Sequence, residues 1–193
     1  HSVTVGGTSA GTINITGKEN TITTANGVVN ISGGNGCVNT VTTANAKVIM
    51  TGSNNTVTSA AGTVYATGIN TITTASSLVT MSGINTVTTA NANVYVTGNA
   101  NTISSNVGNA YLTGYSSTVT NANGGTIYIT GNTSTVSNSN GTLYFTGYSV
   151  TVENGTNYLT GESFTIITGT NTLTAIGAGG RVMITGGENT ISS

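Results

Sequence analysis

The sequence predicts an all-β chain wound as a single β-solenoid. Three observations carry that prediction. Two short motifs alternate with period two, both return at a near-constant spacing, and the chain is rich in β-branched residues yet almost free of charge. The first motif is Thr-x-Thr with an aliphatic centre. Its copies are Thr21-Ile22-Thr23, Thr40-Val41-Thr42, Thr56-Val57-Thr58, Thr71-Ile72-Thr73, Thr86-Val87-Thr88, Thr118-Val119-Thr120 and Thr172-Leu173-Thr174. Copies ending in serine are Thr102-Ile103-Ser104, Thr135-Val136-Ser137 and Thr190-Ile191-Ser192. Thr151-Val152-Glu153 is a defective copy, and Thr4-Val5-Gly6 reads as a degenerate first one. From Thr40 to Thr151 the step is 15 to 17 residues.

The second motif falls half a period later. It runs from "INITG" (13–17) through "VYATG" (64–68), "VYVTG" (94–98), "IYITG" (127–131) and "LYFTG" (143–147) to "VMITG" (182–186). One coil of about 16 residues therefore holds at least two strands and two tight corners, and the whole chain makes about 11–12 coils with parallel sheets. Whether a coil has two sides or three, and its handedness, stay open. Residues 1–193 read as a single solenoid domain, with an irregular coil or bulge near 153–170, where closing glycines stand only 14 and 8 residues apart (Gly147, Gly161, Gly169). The step from Thr151 to Thr172 is then one coil with a bulge. The sequence stops at "NTISS", just after a first strand, which reads either as a trimmed chain or as a C-terminal edge strand left unprotected, a liability solenoids normally cap.

Alternation assigns the faces, because successive strand side chains point to opposite sides. Ile22, Val41, Val57, Ile72, Val87, Ile103 and Val119 point inward and stack as the core, and their flanking threonines point out. In the second strand Val94 and Val96 point in, while Tyr95 and Thr97 point out. A one-residue slip would expose every valine, so the register is strongly specified. Asn20, Asn39, Asn55, Asn70, Asn85, Asn101, Asn171 and Asn189 each precede a first strand and read as an internal amide ladder. The glycine closing each second strand reads as a corner residue with positive φ.

The same composition excludes several functions. Charged residues are 4% of the chain and the net charge is −1. Three basic residues cannot replace the counterions of a nucleic acid, no basic amphipathic helix can lie on a membrane, and no apolar run reaches the length that spans one. Four scattered glutamates do not make a hydrolytic pair; Glu153 and Glu162 flank the irregular segment and read as a surface pair. His1 cannot hold a metal alone, and "SGGNG" (32–36) precedes no helix, so it is not a phosphate loop. Cys37, the single cysteine, has no partner for an internal disulfide and reads as a small core or corner residue. The expectation is a protein that is not an enzyme and needs no cofactor or metal. A chain opening "HSVTVGG" without Met is compatible with a signal peptide already removed, and a secreted, extracellular protein is expected.

Outward residues two apart on a strand lie about 6.7 Å apart, and stacked strands about 4.8 Å apart. The Thr-x-Thr copies thus generate a two-column array of methyls and hydroxyls, and a restricted χ1 lets neighbouring threonines share one rotamer. From Thr21 to Ser137 that face carries no charged residue, although charge is what ordinarily keeps a sheet soluble. Repeated Thr-x-Thr on a β-solenoid resembles the antifreeze, or ice-binding, proteins best known from insects. The resemblance covers nearly the whole chain as a pattern, and it departs in coil length and in lacking the disulfides of the small beetle proteins. It implies an ice crystal surface as the partner and an ice-binding site made of Thr21, Thr23, Thr40, Thr42, Thr56, Thr58, Thr71, Thr73, Thr86, Thr88, Thr102, Ser104, Thr118, Thr120, Thr135 and Ser137. Glu153 interrupts the array, so later coils are expected to add little. The second face carries Tyr65, Tyr95, Tyr111, Tyr128, Tyr144 and Tyr158. These read as cross-rung stacking, as a self-association surface, or as a sugar-binding strip. The alternative to ice binding is therefore a structural or adhesive repeat segment of a cell-surface protein.

Overall fold

Val, Ile and Thr resist helix and fit a pleated surface, and the computed structural model of the chain is all-β with parallel pairing. It describes residues 11–34, 36–121, 123–138, 141–166, 170–176, 181–185 and 188–192. The strands are β1 (Thr12–Thr16), β2 (Glu19–Ser32), β3 (Val38–Thr89), β4 (Asn93–Thr97), β5 (Asn101–Ser105), β6 (Ala110–Gly114), β7 (Ser117–Asn121), β8 (Thr126–Asn138), β9 (Thr142–Glu153), β10 (Thr156–Ile166), β11 (Thr170–Ile176), β12 (Val182–Ile184) and β13 (Asn189–Ser192). The chain divides into two compact units, His1–Tyr95 and Val96–Ser193. Each is a stack of coils of about 16 residues, and the regular coils of both together number roughly nine. That is fewer than the 11–12 expected, because residues 1–10 lie outside the described residues and the coils beyond Gly161 leave the repeat.

In the first unit β1 pairs β2, and β2 pairs β3, without offset: Thr21 faces Thr40, Ile22 faces Val41 and Thr23 faces Thr42. β3 itself winds through several coils. In the second unit strands of five residues alternate, β5 pairing β7 and β6 pairing β8, with corners of two to four residues between them. The coils therefore have two sides. A first sheet carries the Thr-x-Thr motifs and a second carries the Tyr-x-Thr motifs. Between them lies a dry aliphatic column: Ile22, Val41, Val57, Ile72 and Val87 against Val29, Val48, Val64, Val79 and Val94 in the first unit, all fully buried. Phe145, Leu143 and Leu159 enlarge the core in the second unit.

The corners are built by different chemistry on each side. Asn20 donates to Asn39, Asn39 to Asn55, Asn55 to Asn70 and Asn70 to Asn85, at 2.7–2.9 Å. From Asn20 to Asn85 this is the amide ladder expected from sequence, and it saturates polar groups that no water reaches; Asn171 and Asn189, expected in the same column, instead pair in register with Asn157 on the other sheet. In the second unit that column changes to Ser117, Ser134 and Val150. The opposite corner carries a second buried column that the sequence reading did not pick out. It consists of Thr24, Thr43, Ser59, Thr74 and Thr89, whose hydroxyls bond corner backbone or a neighbouring hydroxyl. Ser105, Asn121 and Asn138 form a buried polar column of the second unit's own; there the Ser105 hydroxyl and both polar atoms of the Asn121 amide have no partner.

The bulged coil expected near 153–170 is not what forms. Thr151 faces Thr165, so the coil is 14 residues long rather than 21. Thr172 faces Tyr158 and Thr174 faces Thr160, while Thr165 faces Met183. The two motifs therefore exchange sheets: "TLT" and, through the pairing of β11 with β13, "TIS" lie on the Tyr side, and "VMI" lies on the Thr side. Strand register follows the alternating pattern, which both motifs share, and not the identity of the outward residue. The segment 167–169 at the heart of this exchange lies outside the described residues, as does Thr4-Val5-Gly6.

Glycine is required where one coil's corner passes over the next. Gly83 sits at φ 111, and a Cβ there would fall on the carbonyl oxygen of Gly68. Gly34, by contrast, has no heavy atom within 4 Å of the Cβ position. Gly83→Ala is expected to destabilise the fold by about 2 kcal/mol or more, since strain at positive φ and backbone overlap add. Gly34→Ala is expected to stay within about 0.5 kcal/mol of the parent. Urea unfolding of both variants checks the pair, and equal stabilities would refute the crowded-corner account.

Candidate functional site

The amide ladder positions the Thr pairs. Each ladder Asn immediately precedes the first Thr of its strand, so bonding Asn39 to Asn55 to Asn70 to Asn85 sets Thr40, Thr56, Thr71 and Thr86 over one another. Asn70 holds its place with two donations, to Asn85 Oδ1 at 2.7 Å and to Gly68 O at 3.1 Å. The aliphatic residue between the two threonines then enters the core and turns both threonines outward. In the first unit this produces the pairs 21/23, 40/42, 56/58, 71/73 and 86/88, every member exposed except the half-buried Thr40. With rungs about 4.8 Å apart, those pairs span about 19 Å along the stack.

The second unit presents a shorter and less regular array. Thr102 faces Thr118 and Ser104 faces Thr120; Thr118 and Thr120 face Thr135 and Ser137. All are exposed except the half-buried Ser137. Ser104 and Ser137 lack the methyl group, and Glu153 faces Ser137 on the following coil, ending the uncharged array as expected. All sixteen residues that the sequence singled out thus lie on the outer side of the first sheet of their own unit.

The second sheet differs between the units. In the second unit Tyr111, Tyr128, Tyr144 and Tyr158 stack face to face, with centroids 4.9–5.0 Å apart and planes within 10°. Thr113, Thr130, Thr146 and Thr160 form the exposed column beside them. In the first unit that place is taken by Asn14, Asn30, Ile49, Tyr65, Thr80 and Tyr95. Asn30 donates to Asn14 at 2.8 Å, and the Lys47 ammonium lies 5.6 Å from the centre of the Tyr65 ring. A shallow depression of about 380 Å³ is lined there by Asn14, Ile15, Asn30, Ile31 and Ile49, among others.

The residues weighed for chemistry do not converge. Glu162 directly precedes Ser163, which faces Ser149, whereas Glu153 lies four residues beyond Ser149; the two glutamates are thus offset by five residues, about 16 Å along the chain. Cys37 is buried and free at a corner, against Gly33. Among the described residues no three His, Cys, Asp or Glu side chains gather into a metal site.

Compared with protein-family models, with curated proteins and with solved structures, the chain matches none. The site must therefore be read from its own geometry.

Asn70→Ala removes two buried ladder bonds, the one from Asn55 and the one to Asn85, and takes the Asn70 amide away from Gly68 O. It is expected to cost about 2–4 kcal/mol of stability, since each orphaned buried group costs about 1–3 kcal/mol. Asn54→Ala, at the exposed neighbouring position, is expected to change stability by less than about 0.5 kcal/mol. Thermal and urea unfolding followed by circular dichroism would reveal equal effects if the ladder were incidental.

Proposed function

We propose that this protein binds ice through its Thr-x-Thr face and inhibits ice growth. One observation carries the reading: outward threonine pairs, themselves uncharged, repeat on the five consecutive rungs from Thr21 and Thr23 to Thr86 and Thr88. A solvated sheet face ordinarily carries Lys and Glu, which prevent edge and face association. A ligand that gains from their absence must itself be uncharged and periodic in two dimensions. Ice meets both conditions.

The mechanism follows from the array. Threonine hydroxyls hold water by hydrogen bonds, and the methyls between them restrict the orientation of the water they touch. Because the side chains are fixed by χ1 restriction and by the rung spacing, little side-chain entropy is lost on binding. The ordered layer merges with the crystal surface and the protein adsorbs. Growth then proceeds only as curved fronts between adsorbed molecules, which lowers the local freezing point. The β-solenoid antifreeze proteins, which the pattern resembles, support the same assignment. A secreted location fits a protein whose ligand forms outside cells.

The adhesive alternative loses part of its support at the tyrosine column. Tyr128 and Tyr144 each have both ring faces covered by neighbouring tyrosines, so only ring edges and hydroxyls point outward. A sugar that stacks on an aromatic face finds none open there. Self-association through ring edges and the Thr113–Thr160 column is the form of that alternative which remains.

Thermal hysteresis in a nanolitre osmometer tests the reading. The parent should show a freezing gap, and Thr88→Tyr, matched for fold by circular dichroism, should lose it. Thr67→Tyr on the second sheet should keep it. A parent without a gap would sink the proposal; a gap kept by Thr88→Tyr and lost by Thr67→Tyr would move the site to the other face. Because Ser104, Ser137 and Glu153 dilute the array of the second unit, Thr118→Tyr should cost less activity than Thr73→Tyr.

A further inference from the structure

We infer that Ile69 and Ile84 belong to the ice-contacting surface and extend it by an aliphatic column beside the threonines. The inference rests on the ice-binding reading and adds residues that the Thr-x-Thr pattern does not contain.

The first unit holds five copies of one seven-residue stretch: "ENTITTA" (19–25), "VNTVTTA" (38–44), "NNTVTSA" (54–60), "INTITTA" (69–75) and "INTVTTA" (84–90). Six of the seven positions are nearly constant, and each has a structural duty or an outward threonine. The first position varies among Glu19, Val38, Asn54, Ile69 and Ile84. A site that accepts a carboxylate and an amide does not need an aliphatic side chain to fold. Yet Ile69 and Ile84 are 50% and 49% exposed, a solvation cost without a packing return.

Alternation puts both on the outward side with their threonine pairs, since Asn70 and Asn85 between them point into the ladder. The 2.7 Å bond from Asn70 to Asn85 sets the two isoleucines on adjacent rungs. Each therefore begins an outward row, Ile69-Thr71-Thr73 or Ile84-Thr86-Thr88, with members about 6.7 Å apart. The patch becomes three columns, about 13 Å across, on these two coils. Water against an aliphatic surface is restricted in orientation, as it is against the threonine methyls. The occupant that meets both is the water layer already placed on Thr71 and Thr86, because the rows are continuous.

The test is Ile69→Asn, Ile84→Asn and the double variant. Asparagine already stands at this place as Asn54, so the fold accommodates it. The double variant should lose roughly half or more of the parent's hysteresis at equal concentration, because two half-exposed side chains leave the contact, with its thermal unfolding unchanged. Full activity in the double variant would overturn the inference while Thr88→Tyr still tests the threonine face alone. Sedimentation equilibrium gives the other arm: a parent dimer that the double variant dissolves would assign the isoleucine pair to a second copy and overturn it too. A parent without hysteresis removes this inference together with the reading beneath it.

Discussion

Everything in this molecule depends on keeping one coil about 4.8 Å above the next over a whole stack. The parallel backbone ladder sets that distance along the strands, but at the corners the chain must turn without a ladder to guide it. There the structure uses two devices. Glycine lets a corner backbone approach the carbonyl of the preceding coil where any Cβ would collide, as at Gly68 over Gly52 and Gly147 over Gly131. Asparagine fills the inside of the same corner with an amide whose donor and acceptor repeat at the rung spacing, so each copy satisfies the next. The first device permits the spacing and the second holds it.

That division explains how a surface of small polar residues can be ordered at all. A threonine on a solvated sheet contributes only modestly through its cross-strand neighbours. Its position is inherited from Ile72 or Val87 beneath it and from Asn70 or Asn85 before it, all of which are buried and bonded or packed. In the second unit inner and outer order do not lapse on the same rungs: Asn101 precedes Thr102 and Ser104, whereas Ser117 precedes an intact Thr118 and Thr120. Only at the last rungs do both change, Ser134 with Thr135 and Ser137, then Val150 with Thr151 and Glu153. Meanwhile the second sheet gains a tyrosine stack, which stiffens its rungs by ring contact in place of amide bonds.

The solenoid, the inward valines and the ladder from Asn20 to Asn85 could be read from the chain because each depends on local alternation and spacing; that a coil has two sides and not three could not, since alternation within a strand is the same for either. The sixteen outward Thr and Ser positions follow from that alternation and needed no long-range information. The exchange of sheets after Thr160 could not be read. "TLT" and "TIS" look like first-sheet strands, but alternation is the same in both motifs, and a 14-residue coil shifts which sheet receives which. The buried hydroxyl column of Thr24, Thr43, Ser59, Thr74 and Thr89 was not hidden in this way. It follows each Thr-x-Thr directly, where the strand runs into the corner, and alternation points it inward.

A face built this way has a consequence for how binding would grow with length. Each added coil contributes the same pair at the same spacing, and the protein's rotational and translational losses on adsorption occur once for the whole array. On the proposed reading, binding would therefore rise more steeply than rung number as long as the rungs stay coplanar, and an irregular rung would end the gain rather than merely dilute it. Glu153 is such a rung, since its carboxylate keeps a hydration shell of its own beside Ser137. The five-rung array of the first unit, backed by an unbroken ladder from Asn20 to Asn85, is where the conditions for cooperative adsorption are met together.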